Sequence, residues 1–316
     1  MNEIPPSRLA QTFFHYTSCP ICSSQEIHAE LKAKDYTVSE EEFEIWECDN
    51  CSLRFTQGIP MEEEIGKYYQ SESYISHSNT KKGLFSTAYQ LVRRYALKMK
   101  KTLIERDAGI KGGRLLDIGC GTGEFLDIMQ QGGWKVKGLE PDEGARAQAQ
   151  KLIGDHVYEP DQLFQESAPT YDVITMWHVL EHVHELQAYV KKIREILSPD
   201  GTLFIAVPNY QSKDADTYQE HWAAYDVPRH LYHFTPKALS VLMEANGFTI
   251  AEKKAMPFDA FYVSLLSEKY KHGSFRIISA STNGLNSWMT ANRKPGKGSA
   301  ILYRIKNYGN GNKRKK

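Results

Sequence analysis

Three glycines in the segment Asp117-Ile-Gly119-Cys120-Gly121-Thr122-Gly123 follow an apolar run and precede a helical pattern. Because glycine has no Cβ, such a run lets the backbone approach a bound ligand closely. A dinucleotide fingerprint requires G-x-G-x-x-G/A, but the sixth position counted from Gly119 is Glu124, whose charge would repel a pyrophosphate. No Gly-Lys-Ser/Thr follows the run, so a P-loop is excluded as well. The segment therefore indicates a ligand loop of another kind.

The pattern D-x-G-x-G-x-G at 117–123 resembles that of the class I S-adenosylmethionine-dependent methyltransferases. The segments YDVITMWHVLEHV and SPDGTLFIAVPN resemble the fourth and fifth strand regions of that family, and the resemblance covers 113–250. It implies that the glycine turn passes under the methionine and ribose parts of the cofactor, and that the acid ending the second strand holds the ribose hydroxyls. The cofactor-binding residues that it implies are Asp117, Gly119, Cys120, Gly121, Gly123, Glu140, Trp177 and His178.

A competing motif overlaps the fourth strand region, where His178-Val-Leu-Glu181-His182 spells the H-x-x-E-H of some zinc peptidases. A metal pair of that kind needs both histidines on one helical face and a third ligand downstream. His178 instead directly follows a predicted strand. We therefore interpret the motif as a turn at the carboxyl edge of a sheet.

Aromatic and titratable residues are dense between Asn209 and Thr235, directly after the fifth predicted strand. The run PRHLYHFT at 228–235 resembles the methyltransferase-23 subfamily, and the N-terminal cysteine pairs joined to this core resemble the C-methyltransferases of nucleotide-linked deoxysugars. The second resemblance implies a catalytic histidine in this segment. We expect His230 to be the base, with His233 and Tyr232 as further catalytic candidates, and neighbouring Arg229 or Asp226 to orient it.

Four of the five cysteines form two C-x-x-C pairs, Cys19 with Cys22 and Cys48 with Cys51. Two such pairs supply four thiolates to a tetrahedral Zn²⁺, and four protein ligands leave no open position for catalysis. A redox pair or reduced bystander cysteines are the alternatives, but the flanking strand patterns favour a structural zinc ribbon. Cys120, in the glycine loop, stands alone.

Strand and helix patterns alternate from 113 onward, which predicts a parallel sheet with helices on both faces. The expected fold is α/β, a Rossmann-like doubly wound sheet of seven strands with the last one antiparallel, preceded by a small β module. The expected divisions are a zinc ribbon at 1–58, a linker and helical lid at 59–110, and a methyltransferase domain at 111–316 with an acceptor-site insertion at 209–235. Tyr68, Tyr69 and Tyr74 either close over the site or pack on the ribbon.

The 316 residues contain 39 Lys and Arg against 39 Asp and Glu, so no basic field for nucleic acid is expected. No apolar run is long enough for a membrane span, and no signal-peptide layout is present, which predicts a cytoplasmic protein with no membrane partner. We expect methyl transfer to a small-molecule acceptor, such as a sugar, surface-glycan or other secondary-metabolite intermediate. The alternative is a zinc-ribbon binding or scaffold protein with a vestigial cofactor pocket.

Overall fold

The computed structural model describes residues 13–70, 84–167, 169–256 and 258–308. For 84–95 it describes the backbone alone. Short strands make up the N-terminal part, and one long helix follows them. In chain order these elements are β1 (Phe13–Phe14), β2 (Ile27–Lys34), β3 (Glu42–Cys48), β4 (Arg54–Thr56), β5 (Ile59–Pro60), a 3-10 turn (Ile65–Tyr69) and α1 (Leu84–Ala108).

Strands and helices then alternate through the larger part of the chain. These elements are β6 (Gly113–Ile118), α2 (Glu124–Gln131), β7 (Trp134–Leu139), α3 (Glu143–Ile153), β8 (Val157–Tyr158), α4 (Gln162–Gln165), β9 (Tyr171–Trp177), α5 (Leu186–Ile196), β10 (Leu197–Pro208), α6 (Lys213–Tyr218), β11 (Tyr232–His233), α7 (Pro236–Ala245), β12 (Phe248–Ala255), α8 (Asp259–His272), α9 (Ile277–Arg293) and β13 (Ala300–Asn307).

The large sheet has seven strands in the order β12-β13-β10-β9-β6-β7-β8. Strands β6 to β10 pair in parallel, whereas β13 pairs antiparallel with both β10 and β12. Helices cover both faces of the central strands, and every residue of Leu203–Val207 in β10 is at most 1% exposed. The predicted α/β class, the seven strands and the antiparallel last strand are confirmed.

The second sheet combines the N-terminal strands with a distant segment, in the order β11-β4-β3-β2. Tyr232 pairs with Phe55 and His233 with Arg54, so the strand that completes this sheet comes from the predicted acceptor segment. The Leu231 carbonyl also accepts a hydrogen bond from the Thr56 N–H at 3.0 Å. The N-terminal module and the acceptor segment, which the sequence analysis assigned to separate domains, are therefore joined by backbone hydrogen bonds between strands.

The N-terminal module shares its apolar core with the large sheet. Leu53 and Phe55 are fully buried in one cluster with Leu180, Leu231 and Phe234, which belong to the larger part of the chain. The segments before and after the predicted domain boundary at residue 58 consequently pack against each other in one core. The domain limits 1–58, 59–110 and 111–316 stay a prediction.

Helices α8 and α9 follow β12 and form a hairpin that the sequence analysis did not predict. Gly284 on α9 allows close approach, since a Cβ there would lie 2.8 Å from Cδ1 and 3.0 Å from Cα of Phe261 on α8. The hairpin is tied to the acceptor segment by two buried hydrogen bonds, from the Ala223 N–H to Ser267 Oγ at 2.9 Å and from the Tyr218 hydroxyl to Glu268 at 3.0 Å.

Candidate active site

The glycine loop joins β6 to α2, and all three of its glycines have positive φ angles. A Cβ at Gly119 would lie 2.3 Å from a methyl of Val179, and one at Gly123 would lie 2.7 Å from Cβ of Ala149. These two glycines are needed for packing. At Gly121 none of the described residues has an atom within 4 Å of the Cβ position, so among them this part of the loop borders open space. The loop thus leaves room for a ligand against bare backbone.

Glu140 follows β7 and faces this loop. Its carboxylate accepts hydrogen bonds from the N–H of Gly121 at 2.7 Å and from the N–H of Asp142 at 3.0 Å. The side chain is only 8% exposed, and burial raises the pKa of its carboxyl. Each carboxylate oxygen has further acceptor capacity, which suits a neighbouring pair of hydroxyl groups.

Asp117, the last acid of β6, is 2% exposed and lies between the glycine loop and β9. The Thr175 hydroxyl donates a hydrogen bond to it at 2.5 Å. Burial raises the pKa of Asp117 to about 7, and the same effect lowers the pKa of Lys100 on α1 to about 8. The Lys100 ammonium interacts with Asp117 and lies 3.8 Å from the centre of the Trp177 ring. Sequence reasoning missed both Thr175 and Lys100.

Trp177 ends β9 and His178 begins the turn after it. The Trp177 ring packs edge-on against Phe125 with centroids 5.9 Å apart, and its buried indole N–H has no hydrogen-bond partner among the described residues. His178 has a φ of 56°, and its Nδ1 lies 3.5 Å from Glu181. Burial opposes the charged form, but the Glu181 and Asp259 carboxylates outweigh it and raise the pKa of His178.

Cys120 occupies the loop but turns its thiol into the protein. A Cβ at Gly138 on β7 would lie 2.6 Å from the Cys120 sulfur, so the thiol fills the space above that glycine. Burial raises the pKa of the Cys120 thiol. This environment matches that of a small apolar side chain that fills a gap in the packing. Its cofactor role stays a prediction.

His230 lies with Glu181 and His182, and one ligand atom from each is within 4.8 Å of the others. The two imidazole rings meet edge to face with centroids 4.5 Å apart. Glu181 is fully buried, and neither of its oxygens accepts a hydrogen bond from any part of the chain that the structure describes. Burial works against this charge, but the neighbouring histidines lower the pKa of Glu181.

The hydrogen bonds of the two rings define their tautomers. His230 Nδ1 lies 2.9 Å from the Ala224 carbonyl, and His182 Nδ1 lies 3.0 Å from the Arg229 carbonyl. A carbonyl only accepts, so both Nδ1 atoms carry the proton and both Nε2 atoms hold a free lone pair when the rings are neutral. His230 Nε2 is 4.0 Å from Asp226. The geometry gives His230 the form that a general base requires.

Tyr232 and His233 lie elsewhere, in the small sheet. The Tyr232 hydroxyl lies 2.9 Å from the Tyr16 hydroxyl and donates to the His184 carbonyl at 3.1 Å, and burial raises the pKa of Tyr232 well above its ordinary value. His233 Nε2 lies 3.2 Å from the Thr56 hydroxyl, and burial lowers the pKa of His233. Strand alternation and pairing with β4 place these side chains in contacts that hold the sheet together.

Arg229, which we expected to orient His230, instead bonds to other residues. Its guanidinium donates to Asp35 at 2.9 Å, to Asp226 at 2.7 Å and to the Tyr68 carbonyl at 2.8 Å, and it is 1% exposed. Asp35, in the β2–β3 connection, was not singled out from the sequence, and no local signal marks it. The arginine therefore ties the acceptor segment to the N-terminal module.

Of the tyrosines before α1, one packs on the N-terminal module and another lies at the candidate site, so each of the two predicted roles applies to one of them. Tyr68 packs on the N-terminal module, with its hydroxyl 2.6 Å from Glu41 and its ring 5.9 Å from that of Phe43. Tyr69 reaches the histidine cluster, where its hydroxyl lies 3.0 Å from His182 Nδ1. Tyr74 lies outside the described residues.

The four cysteines of the two C-x-x-C pairs converge. The Sγ atoms of Cys19 and Cys51 are 3.5 Å apart, those of Cys22 and Cys48 are 3.6 Å apart, and all four lie within 4.8 Å of one another. A tetrahedral Zn²⁺ with bonds of about 2.3 Å would separate its sulfur ligands by about 3.8 Å. Four thiols at this spacing fit a zinc ion.

A family model described as a methyltransferase domain matches residues 89–253. The human mitochondrial ubiquinone biosynthesis O-methyltransferase is 27% identical over 180 residues, which cover 51% of this chain and 48% of that protein. The Salmonella paratyphi A ubiquinone biosynthesis O-methyltransferase is 32% identical over 118 residues, 35% of this chain and 49% of that protein. The chain thus spans about half the length of these curated relatives.

Two solved structures share the fold. Magnesium protoporphyrin IX methyltransferase from Synechocystis PCC 6803, with bound S-adenosylhomocysteine, superimposes with a TM-score of 0.50 at 13% identity, covering 77% of this chain and 99% of that one. Geranyl diphosphate C-methyltransferase from Streptomyces coelicolor gives a TM-score of 0.50 at 12% identity, covering 73% and 86%. At these identities the likeness concerns the fold alone.

Proposed function

The chain belongs to the methyltransferase domain family, and on that premise we propose that it transfers the methyl group of S-adenosylmethionine to a hydroxyl oxygen of a small-molecule acceptor. The contact between Glu140 and the Gly121 N–H carries this proposal. It sets a buried carboxylate beside a stretch of backbone that borders open space. This arrangement fits a ligand with a diol.

The residues that would hold the cofactor surround that space. Glu140 would accept from the ribose hydroxyls, and Asp117 would face the cationic end of the amino acid part. Trp177 and His178 would border the cofactor from the neighbouring strand. When bound, S-adenosylmethionine supplies a methyl group on a sulfonium, which is already an activated electrophile.

His230 is the proposed base. Its Nδ1–H is held by the Ala224 carbonyl, so Nε2 is free to take the proton from an acceptor hydroxyl. The imidazolium that results would lie beside the Glu181 carboxylate, while the methyl group would pass from the cofactor's sulfur to the acceptor oxygen. Tyr232 and His233 receive no part in this step, because their polar atoms are engaged in the small sheet.

The choice of oxygen as acceptor rests on the named relatives, which are O-methyltransferases of ubiquinone biosynthesis. They favour an aromatic hydroxyl over the sugar or glycan intermediate expected from the sequence. The class of acceptor is nevertheless part of the proposal, since the matched region is only half of those proteins.

We further infer that Cys19, Cys22, Cys48 and Cys51 hold a structural Zn²⁺. The convergence of the four sulfurs supports this, and with four protein ligands the ion would have no position for substrate. The small sheet around it would then position the acceptor segment and take no part in the chemistry.

The test of function combines binding with transfer. Calorimetry should show binding of S-adenosylhomocysteine, and methyl-labelled S-adenosylmethionine should deliver label to an aromatic hydroxyl in a panel that also contains nucleotide-linked sugars. Label found only on sugars would refute the acceptor class and keep the enzyme. No binding of S-adenosylhomocysteine would refute the enzyme and favour the scaffold protein with a vestigial pocket.

A further inference from the structure

The hairpin of α8 and α9 has many of its large apolar residues on the outside. Its inner faces are built from small residues, among them Ala260, Ser264, Ala280, Gly284 and Ser287. Ile278 is 83% exposed and Ile277 and Phe258 are each 68% exposed. A helix that faces water has the opposite arrangement, with its large apolar residues against the core. This pattern favours a non-aqueous neighbour for the outer face.

Five of the exposed apolar residues lie on one side of α9 and at the connection between the two helices. Ile278, Leu285 and Met289 are separated by seven and four positions, so they share one face of the helix. Phe275, Ile277 and Ile278 occupy the connection between the two helices and the first turn of α9. We call Phe275, Ile277, Ile278, Leu285 and Met289 the outer hairpin face.

Positive charge flanks this face at both ends. Residues 258–297 contain six Lys and Arg, at Lys269, Lys271, Arg276, Arg293, Lys294 and Lys297. The same residues contain two acids, Asp259 and Glu268, and Glu268 is 2% exposed, with bonds to Tyr218 and Ser279. The whole chain, in contrast, has equal numbers of acidic and basic residues. The hairpin thus carries an excess of cations, although the chain as a whole has no net charge.

We propose that the outer hairpin face docks on the surface of a bilayer that contains anionic lipids. Phe275, Ile277 and Ile278 enter the boundary between headgroups and acyl chains, and the flanking lysines and arginines meet the lipid phosphates. Within the described residues, none of the helices is both long and apolar enough to cross a membrane. The hairpin therefore lies on the bilayer, a mode of binding that the sequence-based expectation of no membrane partner did not consider.

Charge decides between a bilayer and a second copy of this chain as the occupant. In a symmetric pair of hairpins, the cations at one end would face the same cations or their counterparts on the other copy, which costs free energy. An anionic surface pairs with all of them at once. The proposal does not depend on the methyltransferase activity, and its test uses no acceptor.

The experiment is sedimentation of the full chain with vesicles of phosphatidylcholine, alone or with about one part in four of phosphatidylglycerol. We expect binding to the anionic vesicles, at least tenfold weaker binding to phosphatidylcholine alone, and a marked loss at about 0.5 M salt. Ile278→Asp and Lys269→Glu should each weaken binding at least tenfold. Leu152→Asp and Lys151→Glu, at exposed positions of α3, are the matched controls and should bind normally.

Several outcomes would overturn the proposal. One is no binding to anionic vesicles by protein with normal thermal unfolding. Another is binding that the two control variants reduce as much as the hairpin variants. A third is a dimer in sedimentation velocity that Ile278→Asp dissociates while vesicles are ignored, since the outer hairpin face would then join two copies.

Discussion

The Thr56 hydroxyl donates a hydrogen bond to the backbone oxygen of His230 at 2.7 Å, across 174 residues of chain. Thr56 is fully buried, and its own N–H donates to the next carbonyl, that of Leu231. Strand β4 therefore holds two consecutive backbone carbonyls at the proposed base, that of His230 and that of Leu231. The N-terminal module thus helps to fix the position of His230, although it supplies no proposed catalytic group.

Thr56→Val should test this relationship, because it keeps the shape of the side chain and removes the donor. The buried His230 carbonyl would lose its partner, which costs about 1–3 kcal/mol of the free energy of unfolding. Hydrogen exchange should accelerate in residues 229–233. The control is Thr102→Val, whose hydroxyl bonds the Lys98 carbonyl on an exposed helix face and should matter little. Equal effects of the two variants would argue against the proposed role.

Metal analysis should find one Zn²⁺ per chain, and Cys48→Ser should remove it. Because Leu53 and Phe55 share a core with Leu231 and Phe234, the loss of zinc should increase hydrogen exchange in residues 222–235 as well as in the N-terminal module. Cys120→Ala should retain the metal. Exchange that increases only before residue 60 would show that the module unfolds independently.

His230→Asn should abolish most turnover and leave cofactor binding unchanged. The asparagine amide still donates toward the Ala224 carbonyl, but it offers no basic nitrogen at the Nε2 position. We expect turnover of the true acceptor to fall by roughly 10²–10⁴-fold. His221→Asn, at a partly exposed histidine of the same segment, is the control. Normal turnover by His230→Asn would mean that another group, or proximity alone, removes the proton.

Glu140→Gln should weaken S-adenosylhomocysteine binding at least tenfold in calorimetry. The neutral amide accepts weaker hydrogen bonds from hydroxyl groups, and each bond to a charged acceptor is worth about 1.5–3 kcal/mol. The exposed neighbour Glu143 offers a matched control, since Glu143→Gln alters the charge near α3 without facing the loop. If the two substitutions had the same small effect, Glu140 would not hold the ribose.

The contribution of His182 to stability should decline as the pH falls from about 6.5 toward about 4. Burial, together with His230, lowers the pKa of His182 from 6.5 to about 4. Between these pH values the unfolded chain binds a proton at His182 and the folded protein does not, which favours unfolding. His182→Asn keeps a donor for the Arg229 carbonyl and should reduce this decline by about 1–3 kcal/mol. Thermal unfolding at several pH values measures this pH dependence. If stability fell equally with pH in the wild-type protein and in the variant, the lowered pKa of His182 would be contradicted.

The sequence predicted those elements whose signals are local. Helix α2 begins at Glu124 and ends at Gln131, and α3 covers Glu143–Ile153, as the predicted alternation of strands and helices after residue 113 requires. The Asp142 side chain caps α3 by accepting from the Ala145 N–H at 2.7 Å, the kind of signal that sequence shows. The glycine loop and the acid after β7 were recognised for the same reason.

Other features depend on contacts that no local pattern carries. Strand β11 has only two residues, and its partner β4 is far away in sequence, so neither periodicity nor a turn signal marks their pairing. The bond of Arg229 to Asp35 is equally remote. The α8–α9 hairpin escaped prediction because many of its large apolar residues are exposed, contrary to the pattern that identifies a helix packed on a core.

The divided small sheet also constrains how the chain is synthesised. All four cysteines leave the ribosome early and can take up metal at once, but β4 then has a free edge until residues 232 and 233 appear. At about 5–20 residues per second, that wait is roughly 10–35 seconds. An unpaired edge invites wrong partners during this time. A nascent chain stalled before residue 232 should therefore be prone to aggregation, and chaperone demand should end when β11 docks.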